Sequence, residues 1–390
     1  MMTNNYKPFV AGVPVSVERL TESLRDLGHE VVVFAPTYKG MKEEEGVVRY
    51  RSVVKGVCCG AAVPDCLDPG IEKAFEEGNF DMIHVHHPML IGWTALHLSK
   101  KYHVPIVLTY HTRYEQYLHY VGLSCAKNIL PAYVRKFASR CDGVIAPTPG
   151  MKEYLEGLQV NAPVFVLPTG IGKEGFLPEE EKVRRLRTEL VGDKRHLFVT
   201  VARLAKEKNL EFLLDSLAIR KEFQKADFKL ALIGEGPEKC HLQEYAEKLR
   251  LENEVIFVGK VPNCEIKNYC AAAELFLFSS TSETQGIVSL EAMAVGTPVL
   301  AVEATGTRDI VRNGENGWMT QESASEFARK LDWLLENSAD RIAPLRQGAK
   351  QTAACYGEQA TAMRAVACYR EAEKAHCEKK AQKPLRYRPV

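Results

Sequence analysis

The sequence predicts an α/β protein made of two doubly wound halves, each a mostly parallel sheet covered by helices on both faces. Three observations carry this. Short apolar, β-branched runs recur along the chain, and helical patterns separate most of them, the signature of buried parallel strands. The runs fall into two sets, parted by the glycine-rich stretch from Pro168 to Gly175 with Pro178 beyond it. At 390 residues the chain is long enough for two domains, each with its own core. The expected boundaries are 1–167 for the first half, 168–185 for a linker, 186–352 for the second half, and 353–390 for a last helix, which returns to the first half, and a tail.

The first half opens with a loop rather than a strand. Phe9 to Pro14 lead into a helix expected to run from Ser16, a suitable N-cap, to Gly28, a suitable C-cap. In a doubly wound fold such a loop follows a central strand, and Met1 to Pro8 leave no room for one. The first strand is therefore expected to be missing, as in a fragment or a chain whose start is set too late. The remaining strands of this half are expected at Glu30–Pro36, Val47–Val53, Asp81–His86, Val104–Tyr110, Asp142–Pro147 and Pro163–Pro168. The second half repeats the rhythm at His196–Ala202, Phe228–Gly234, Glu254–Gly259, Glu274–Ser279 and Pro298–Val302. A final helix, about Gly357 to Lys379, precedes a basic tail that reads as a solvated terminus.

Composition narrows the function classes. Hydrophobic residues make up 46% and charged residues 26%, as in a globular enzyme. A net charge of +1 gives no bulk attraction for nucleic acid. The eleven cysteines contain one adjacent pair, Cys58 and Cys59, and no C-x-x-C, so neither a disulfide framework nor a zinc site is expected. No signal peptide opens the chain and no apolar run approaches the ~18 residues of a membrane span, so a cytoplasmic protein is expected, with peripheral membrane contact left open.

The chemistry concentrates between Ser279 and Pro298. A helix is expected from about Gln285 to Val295, ended by Gly296 and Pro298. Ser282 and Gln285 have the spacing of a capping box, so this could be a well-capped helix start with Glu291 paired to an internal arginine. The other reading is an anion site: the backbone N–H groups of Gln285, Gly286 and Ile287 meet a phosphate at the positive end of the helix. Glu291, inside the apolar stripe of Ile287, Leu290, Met293 and Ala294, then lies about 8 Å further along, within reach of an attached ribose. Glu283 faces the other end of such a ligand.

Other candidates stand at expected carboxyl ends of strands, where open α/β sheets bind ligands. Arg203 and Lys208 follow the first strand of the second half and combine a planar fork with a point charge, as a diphosphate requires. Gly234 and Gly236 open a tight turn after the next strand. His111 stands beyond the strand that ends near Tyr110, although a lone histidine is usually structural. Tyr114, Tyr117 and Tyr120 share a helical face, suited to a core or to an acceptor surface. His84, His86 and His87 have no carboxylate or cysteine set beside them, so no metal site is expected. G-x-G-x-x-G with its later acidic residue and the Walker A motif are both absent.

Taken jointly, Ala202-Arg203-Leu204 with Glu207-Lys208-Asn209, Gly234 to Pro237, Glu283 to Glu291, and Ala292 to Pro298 resemble the retaining glycosyltransferases of the GT-B fold, a large family that includes sucrose and glycogen synthases and many bacterial glycolipid enzymes. The likeness runs from Asn5 to about Gly317. It implies two Rossmann-like domains facing across a cleft, the first on the acceptor side and the second binding a nucleoside-diphosphate sugar. It implies that Arg203 and Lys208 hold the diphosphate, that Glu291 binds the ribose, and that Glu283 with Gln285, Gly286 and Ile287 positions sugar and phosphates. Gly12 would close over the diphosphate and His111 would contact the sugar. The implied reaction retains configuration by same-face attack, with the leaving phosphate helping to deprotonate the acceptor and with neither metal nor cofactor. The segment from Tyr110 to Tyr120 is similar to that of bacterial glucosyltransferases acting on diacylglycerol. This implies UDP-glucose as donor and a membrane lipid such as 1,2-diacylglycerol as acceptor. Lys127, Arg135, Lys136 and Arg140, with Tyr114 and Tyr117, would meet the anionic surface. Phosphatidylinositol, a cell-wall polyol phosphate or a small thiol precursor are the alternative acceptors. A nucleotide-sugar epimerase or a non-catalytic nucleotide-sugar binder is the alternative of another class. Three departures lie near the cleft: the absent first strand, Ala11 where a glycine is common, and Gly172 where aspartate often follows Thr-Gly-Ile.

Overall fold

The structure is a computed structural model and describes residues 1–381 apart from 10, 40, 42, 58–60, 115–128 and 224–225. It divides into two compact units: Met1–Gly170 with Glu358–Val390, and Ile171–Gly357. The first runs α1 (Gly12–Asp26), β1 (Val33–Pro36), β2 (Val47–Tyr50), β3 (Ser52–Val57), β4 (Ala61–Pro64), α2 (Pro69–Gly78), β5 (Ile83–Val85), α3 (Ile91–Tyr102), β6 (Ile106–Thr109), α4 (Leu130–Ala138), β7 (Gly143–Ala146), α5 (Pro149–Gly157) and β8 (Val164–Val166). The second runs α6 (Glu180–Val191), β9 (His196–Val201), α7 (Leu210–Phe223), β10 (Phe228–Ile233), α8 (Lys239–Lys248), β11 (Val255–Gly259), α9 (Asn263–Ala272), β12 (Leu275–Phe278), α10 (Ile287–Ala294), β13 (Val299–Val302), α11 (Thr305–Arg308), β14 (Gly317–Thr320), α12 (Ala324–Glu336), α13 (Ser338–Arg341) and α14 (Ala343–Ala354). The long α15 (Glu358–Ala381) then returns to the first unit.

In the first unit β2 pairs with β1, and β5, β6, β7 and β8 pair in that order, all parallel, while β3 and β4 form an antiparallel hairpin. The slot in the ladder next to β1 and β5 is filled. Met2 bridges in parallel to both Phe34 and Val85. Met2 donates to His84 O at 2.8 Å, Thr3 to Phe34 O at 3.1 Å, and Met1 O and Met2 O accept from Phe34 and His86 at 2.7 and 3.0 Å. No regular strand forms here, but these isolated bridges and hydrogen bonds at Met1 to Thr3 occupy the slot that was expected to be empty and give backbone groups of its two neighbours their partners.

Strand residues alternate between two cores, as the pleat requires. Ile106, Leu108, Val144 and Ala146 pack with Ile91, Leu98, Val134, Phe137 and Met151. Val107 and Ile145 point the other way, onto Ala362, Ala365 and Ala372 of α15. The small side chains on α15 let its backbone lie close to the sheet. Helix α1 begins earlier than expected: Ala11 is its N-cap, and Ser16 lies inside it with its hydroxyl 2.8 Å from Thr169 Oγ1. Pro14 is tolerated because the first-turn N–H groups need no intrahelical partner. Gly28 takes φ +87° just past the end, as a helix stop asks.

The second unit is one parallel sheet of six strands in the order β11-β10-β9-β12-β13-β14. Its last strand is short and only partly buried, and no apolar run announced it. The segment expected to be a linker belongs to this unit from Ile171, which donates to Tyr356 O at 2.8 Å. From β9 the chain winds outward through β10 to β11. From β12 it winds the opposite way through β13 to β14. The reversal between β9 and β12 is a topological switch point, whose carboxyl side is where such sheets bind ligands.

Candidate active site

In the second unit the switch point is filled by two segments that follow β9 and β12. After β9 the chain makes a single tight turn over Lys206–Lys208 before α7. After β12 three serines tie the next loop to that turn: Ser279 Oγ donates to Lys208 O at 2.9 Å, while Ser280 and Ser282 donate to Glu207 O at 3.4 and 3.2 Å. This docking brings the Lys208 ammonium into an ion pair with Glu283, and Ser280 Oγ lies 3.5 Å from the same carboxylate. Arg203 pairs with Glu207, whose side chain is only 4% exposed. Two cations therefore stand at one strand end, each held by a carboxylate.

Helix α10 starts at Ile287 with Gly286 as its N-cap in a left-handed conformation, φ +70°. The capping box expected from Ser282 and Gln285 does not cap the helix, because α10 begins only at Ile287, beyond both residues, with Gly286 in the capping position. In the first turn Ser289 N–H already donates to Gly286 O at 2.9 Å, and the aligned peptide dipoles make this end of α10 positive. Ser289, in that turn, buries its hydroxyl with no hydrogen-bond partner among the described residues. Glu291 lies one turn further on and is half-buried. It sits near Cys270, whose thiol is pushed up chiefly by burial and then by the Glu291 charge.

Close backbone approach shapes this site at two glycines. A Cβ on Gly234 would lie 1.9 Å from Ala202 O. One on Gly306, in α11, would lie 2.4 Å from Glu283 O and 3.0 Å from Gln285 N. Gly306→Ala is accordingly expected to shift the Glu283–Gln285 loop and raise KM for the nucleotide ligand about tenfold; steady-state kinetics check this, and an unchanged KM would refute it.

The first unit gathers histidines at the carboxyl ends of β5 and β6. Register pairs Val85 with Leu108, which brings His86 to the level of Thr109 and within reach of His111. His86 Nδ1 and His111 Nε2 are 2.9 Å apart. His84 bonds through Nδ1 to Tyr369 OH at 2.8 Å and through Nε2 to Thr109 Oγ1 at 2.6 Å. Burial holds all four imidazoles neutral: His84 and His86 well below their ordinary range, His87 at about 4, and His111 at about 3 with His87 adding a little. A small crevice runs beside His86 and His111 under α1, lined also by Ser16, Arg19, Thr109 and Glu358. Gly12 opens α1, and a Cβ there would meet nothing within 4 Å.

The comparisons with known proteins agree with this architecture. The family model "Glycosyl transferases group 1" matches residues 184–353, and "Glycosyltransferase Family 4" matches 10–174. An alpha-monoglucosyldiacylglycerol synthase of Streptococcus pneumoniae is 33% identical over 315 residues, 77% of this chain and 70% of that protein. The chain belongs to the glycosyltransferase group 1 family. A GDP-mannose-dependent alpha-mannosyltransferase of Mycolicibacterium smegmatis is 29% identical over 84% of this chain and 85% of its own. Among solved structures, Anabaena HepE in complex with UDP superposes with a TM-score of 0.74 at 20% identity, covering 94% of this chain and 97% of that one, a likeness of fold. The fold of this glycosyltransferase is GT-B.

Within the glycosyltransferase, the sequence candidates Arg203, Lys208, Gly234, Glu283, Gln285, Gly286, Ile287 and Glu291 all lie in the second unit around one switch point, and Gly12 and His111 lie in the first. On the first unit Arg135, Lys136 and Arg140 are exposed at the end of α4 while Val134 and Phe137 are buried, so the helix is amphipathic. The Arg140 guanidinium lies over the Trp93 ring at 5.3 Å. Tyr114 is half-buried with its ring 6.0 Å from that of Tyr110, packed on the core rather than presented outward. Tyr117, Tyr120 and Lys127 lie outside the described residues. Sequence reasoning did not foresee the pairing of Arg203 with Glu207, the serines as loop anchors, the close approach at Gly306 or the pairing of His86 with His111. A signal existed only for the serines, three in four positions after a buried strand. No helix among the described residues is long and apolar enough to cross a membrane.

Proposed function

We propose that this glycosyltransferase moves a glucosyl unit, with retention, from UDP-glucose to 1,2-diacylglycerol at a membrane surface. The observation that carries the donor half is the junction of Lys208 and Glu283 in front of α10. A diphosphate placed there meets Lys208, Arg203 and the positive helix end, and its ribose reaches Glu291. Glu283 then holds sugar hydroxyls, with His111 as a further sugar contact and Gly12 over the diphosphate. In the reaction the acceptor hydroxyl attacks the anomeric carbon on the face from which the diphosphate departs. The C–O bond to phosphate breaks, the new glycosidic bond forms, and the hydroxyl proton passes to a phosphate oxygen. Charge builds on the leaving diphosphate, so Arg203, Lys208 and the α10 N-terminus supply the main stabilisation. The reading calls for no cofactor and no metal.

The Streptococcus pneumoniae relative, named for glucosyldiacylglycerol synthesis, supports the acceptor. So does the exposed basic end of α4 beside Trp93, which suits peripheral contact with anionic lipid. The mannosyltransferase relative favours a second reading, a GDP-mannose donor. The test is incubation with radiolabelled UDP-glucose or GDP-mannose and vesicles of diacylglycerol or phosphatidylinositol. An α-glucosyl diacylglycerol made only from UDP-glucose is expected. A mannolipid would favour the second reading, no lipid product with any donor would overturn the lipid acceptor, and an isomerised sugar nucleotide formed without acceptor would mark an epimerase.

A further inference from the structure

We infer that Asn209 is a positioning residue that holds Lys208 in place for the donor, with Glu322 as the anchor it holds on to. The turn that carries Lys208 is a single short one, Lys206–Lys208, and Asn209 ends it in the left-handed conformation, φ +53° and ψ +42°. In that geometry the Asn209 N–H donates to Lys206 O at 3.0 Å. Most residues with a Cβ avoid this region, glycine enters it freely, and asparagine is among the few others that tolerate it. Glycine would thus serve the backbone as well. What asparagine adds is an amide that can reach outward. Asn209 Nδ2 donates to Glu322 Oε1 at 2.7 Å.

Glu322 lies just past the end of β14, and in the sheet β12 and β13 stand between β14 and β9. The bond therefore joins loops from strands that are not neighbours. It also closes a ring of contacts among the segments that follow β9, β14, β13 and β12. Beside Glu322, Gln321 donates through Nε2 to Glu303 Oε2 at 2.6 Å. The other oxygen of Glu303, just past β13, pairs with Arg308 Nε at 3.2 Å. Arg308 belongs to α11, whose Gly306 lies close against the backbone of Glu283 and Gln285 beyond β12. Glu283 then pairs with Lys208, which returns the ring to its start. Cutting the ring at Asn209 removes a hold on the Lys208 turn from the β14 side and leaves the serine contacts on the β12 side.

The inference deepens the donor reading, on which it rests for its consequence. Asn209 acts through the backbone it shares with Lys208, not through a contact of its own with the donor. An ammonium that must meet a diphosphate within hydrogen-bond distance loses much of its effect when it is displaced by about 1 Å. Glu322 is exposed, so water competes for its bond with Asn209 and the bond adds little to the stability of the unit. Its effect therefore belongs in the affinity for nucleotide rather than in the melting temperature.

The test is calorimetric titration of the whole chain with UDP, paired with hydrogen exchange of the 205–209 backbone in the protein without ligand. Asn209→Gly keeps the left-handed backbone and deletes the amide. It is expected to raise Kd for UDP about tenfold at unchanged stoichiometry and to speed exchange in the turn. A merely structural loss would lower the number of sites and leave Kd alone. Asn209→Asp sets a second carboxylate against Glu322 and is expected to weaken UDP at least as much. Adding Glu322→Gln, whose amide can donate to that carboxylate, is expected to bring Kd back to within about threefold. A Kd for Asn209→Gly equal to that of the unmodified protein, or a double variant no better than Asn209→Asp alone, would overturn the proposal. Glu322→Ala reads the same bond from its exposed end if an Asn209 variant fails to fold. If the unmodified protein takes up no UDP, the donor reading fails and exchange alone decides whether Asn209 holds the turn: faster exchange in Asn209→Gly supports it, and equal exchange overturns it.

Discussion

Lys208→Met is expected to lower kcat/KM for sugar transfer by about 10³-fold, or about 4 kcal/mol, while the second unit stays folded. Methionine keeps the unbranched stem and deletes the charge. In the protein that charge is matched by Glu283, and the two side chains are 15% and 23% exposed, so solvent screens them only in part. The loss has two sources. The diphosphate forfeits a cation just as negative charge gathers on it. The Glu283 carboxylate, no longer neutralised, repels the same phosphates. Glu283→Gln separates these, since it removes the repulsion and keeps Lys208; the double variant Lys208→Met/Glu283→Gln is therefore expected to lose less than the two single losses multiplied together. Steady-state kinetics in UDP-glucose check the set. A loss below tenfold for Lys208→Met would remove Lys208 from the diphosphate site.

Acidification is expected to destabilise the first unit steeply. His87 is 7% exposed and its folded-state value lies at about 4, against about 6.5 in the unfolded chain. Between those two values the unfolded chain takes up a proton that the folded one refuses. The stability that rests on neutral His87 is thus complete above pH 6.5 and is lost as pH falls towards 4, on the order of 3 kcal/mol for this group. His84 and His86 are depressed in the same direction by burial and add to the slope. The melting temperature should therefore drop continuously from pH 7 to pH 4.5, and His87→Asn should flatten the curve by roughly one proton's worth. A melting temperature that stays level over that range would show that these imidazoles charge without cost in the fold.

What could be read in the sequence follows from which interactions are local. The strands β6, β7, β9, β10, β12 and β13 were legible because a strand buried on both faces is a continuous apolar run. That Arg203, Lys208 and Glu283 stand beyond the carboxyl ends of strands was legible, because the apolar runs before them mark where those strands end. The filling of the slot beside β1 and β5 was not legible: Met1 to Thr3 hold their place through backbone hydrogen bonds, and backbone bonds leave no mark on residue type. The start of α10 was misread for a related reason. Ser282 satisfies the local rule for a cap, but the helix starts only at Ile287, and the Ser282 hydroxyl instead ties the loop to a carbonyl 75 positions away. The pairing of His86 with His111 likewise depends on the register of β5 against β6, which no pattern within either strand specifies.

The return of α15 to the first unit has a consequence for how the chain is made. Residues 171–357 form a contiguous unit and can close as soon as they have left the ribosome. The first unit cannot. Val107 and Ile145 remain uncovered until Ala362, Ala365 and Ala372 arrive, and Asp142 waits for His376 and Lys379, which lie 2.8 and 3.1 Å from it in the finished fold. The half that is synthesised first is therefore completed last, and a ribosome stalled before residue 360 would hold a finished second unit beside a first one with an apolar sheet face still open to water.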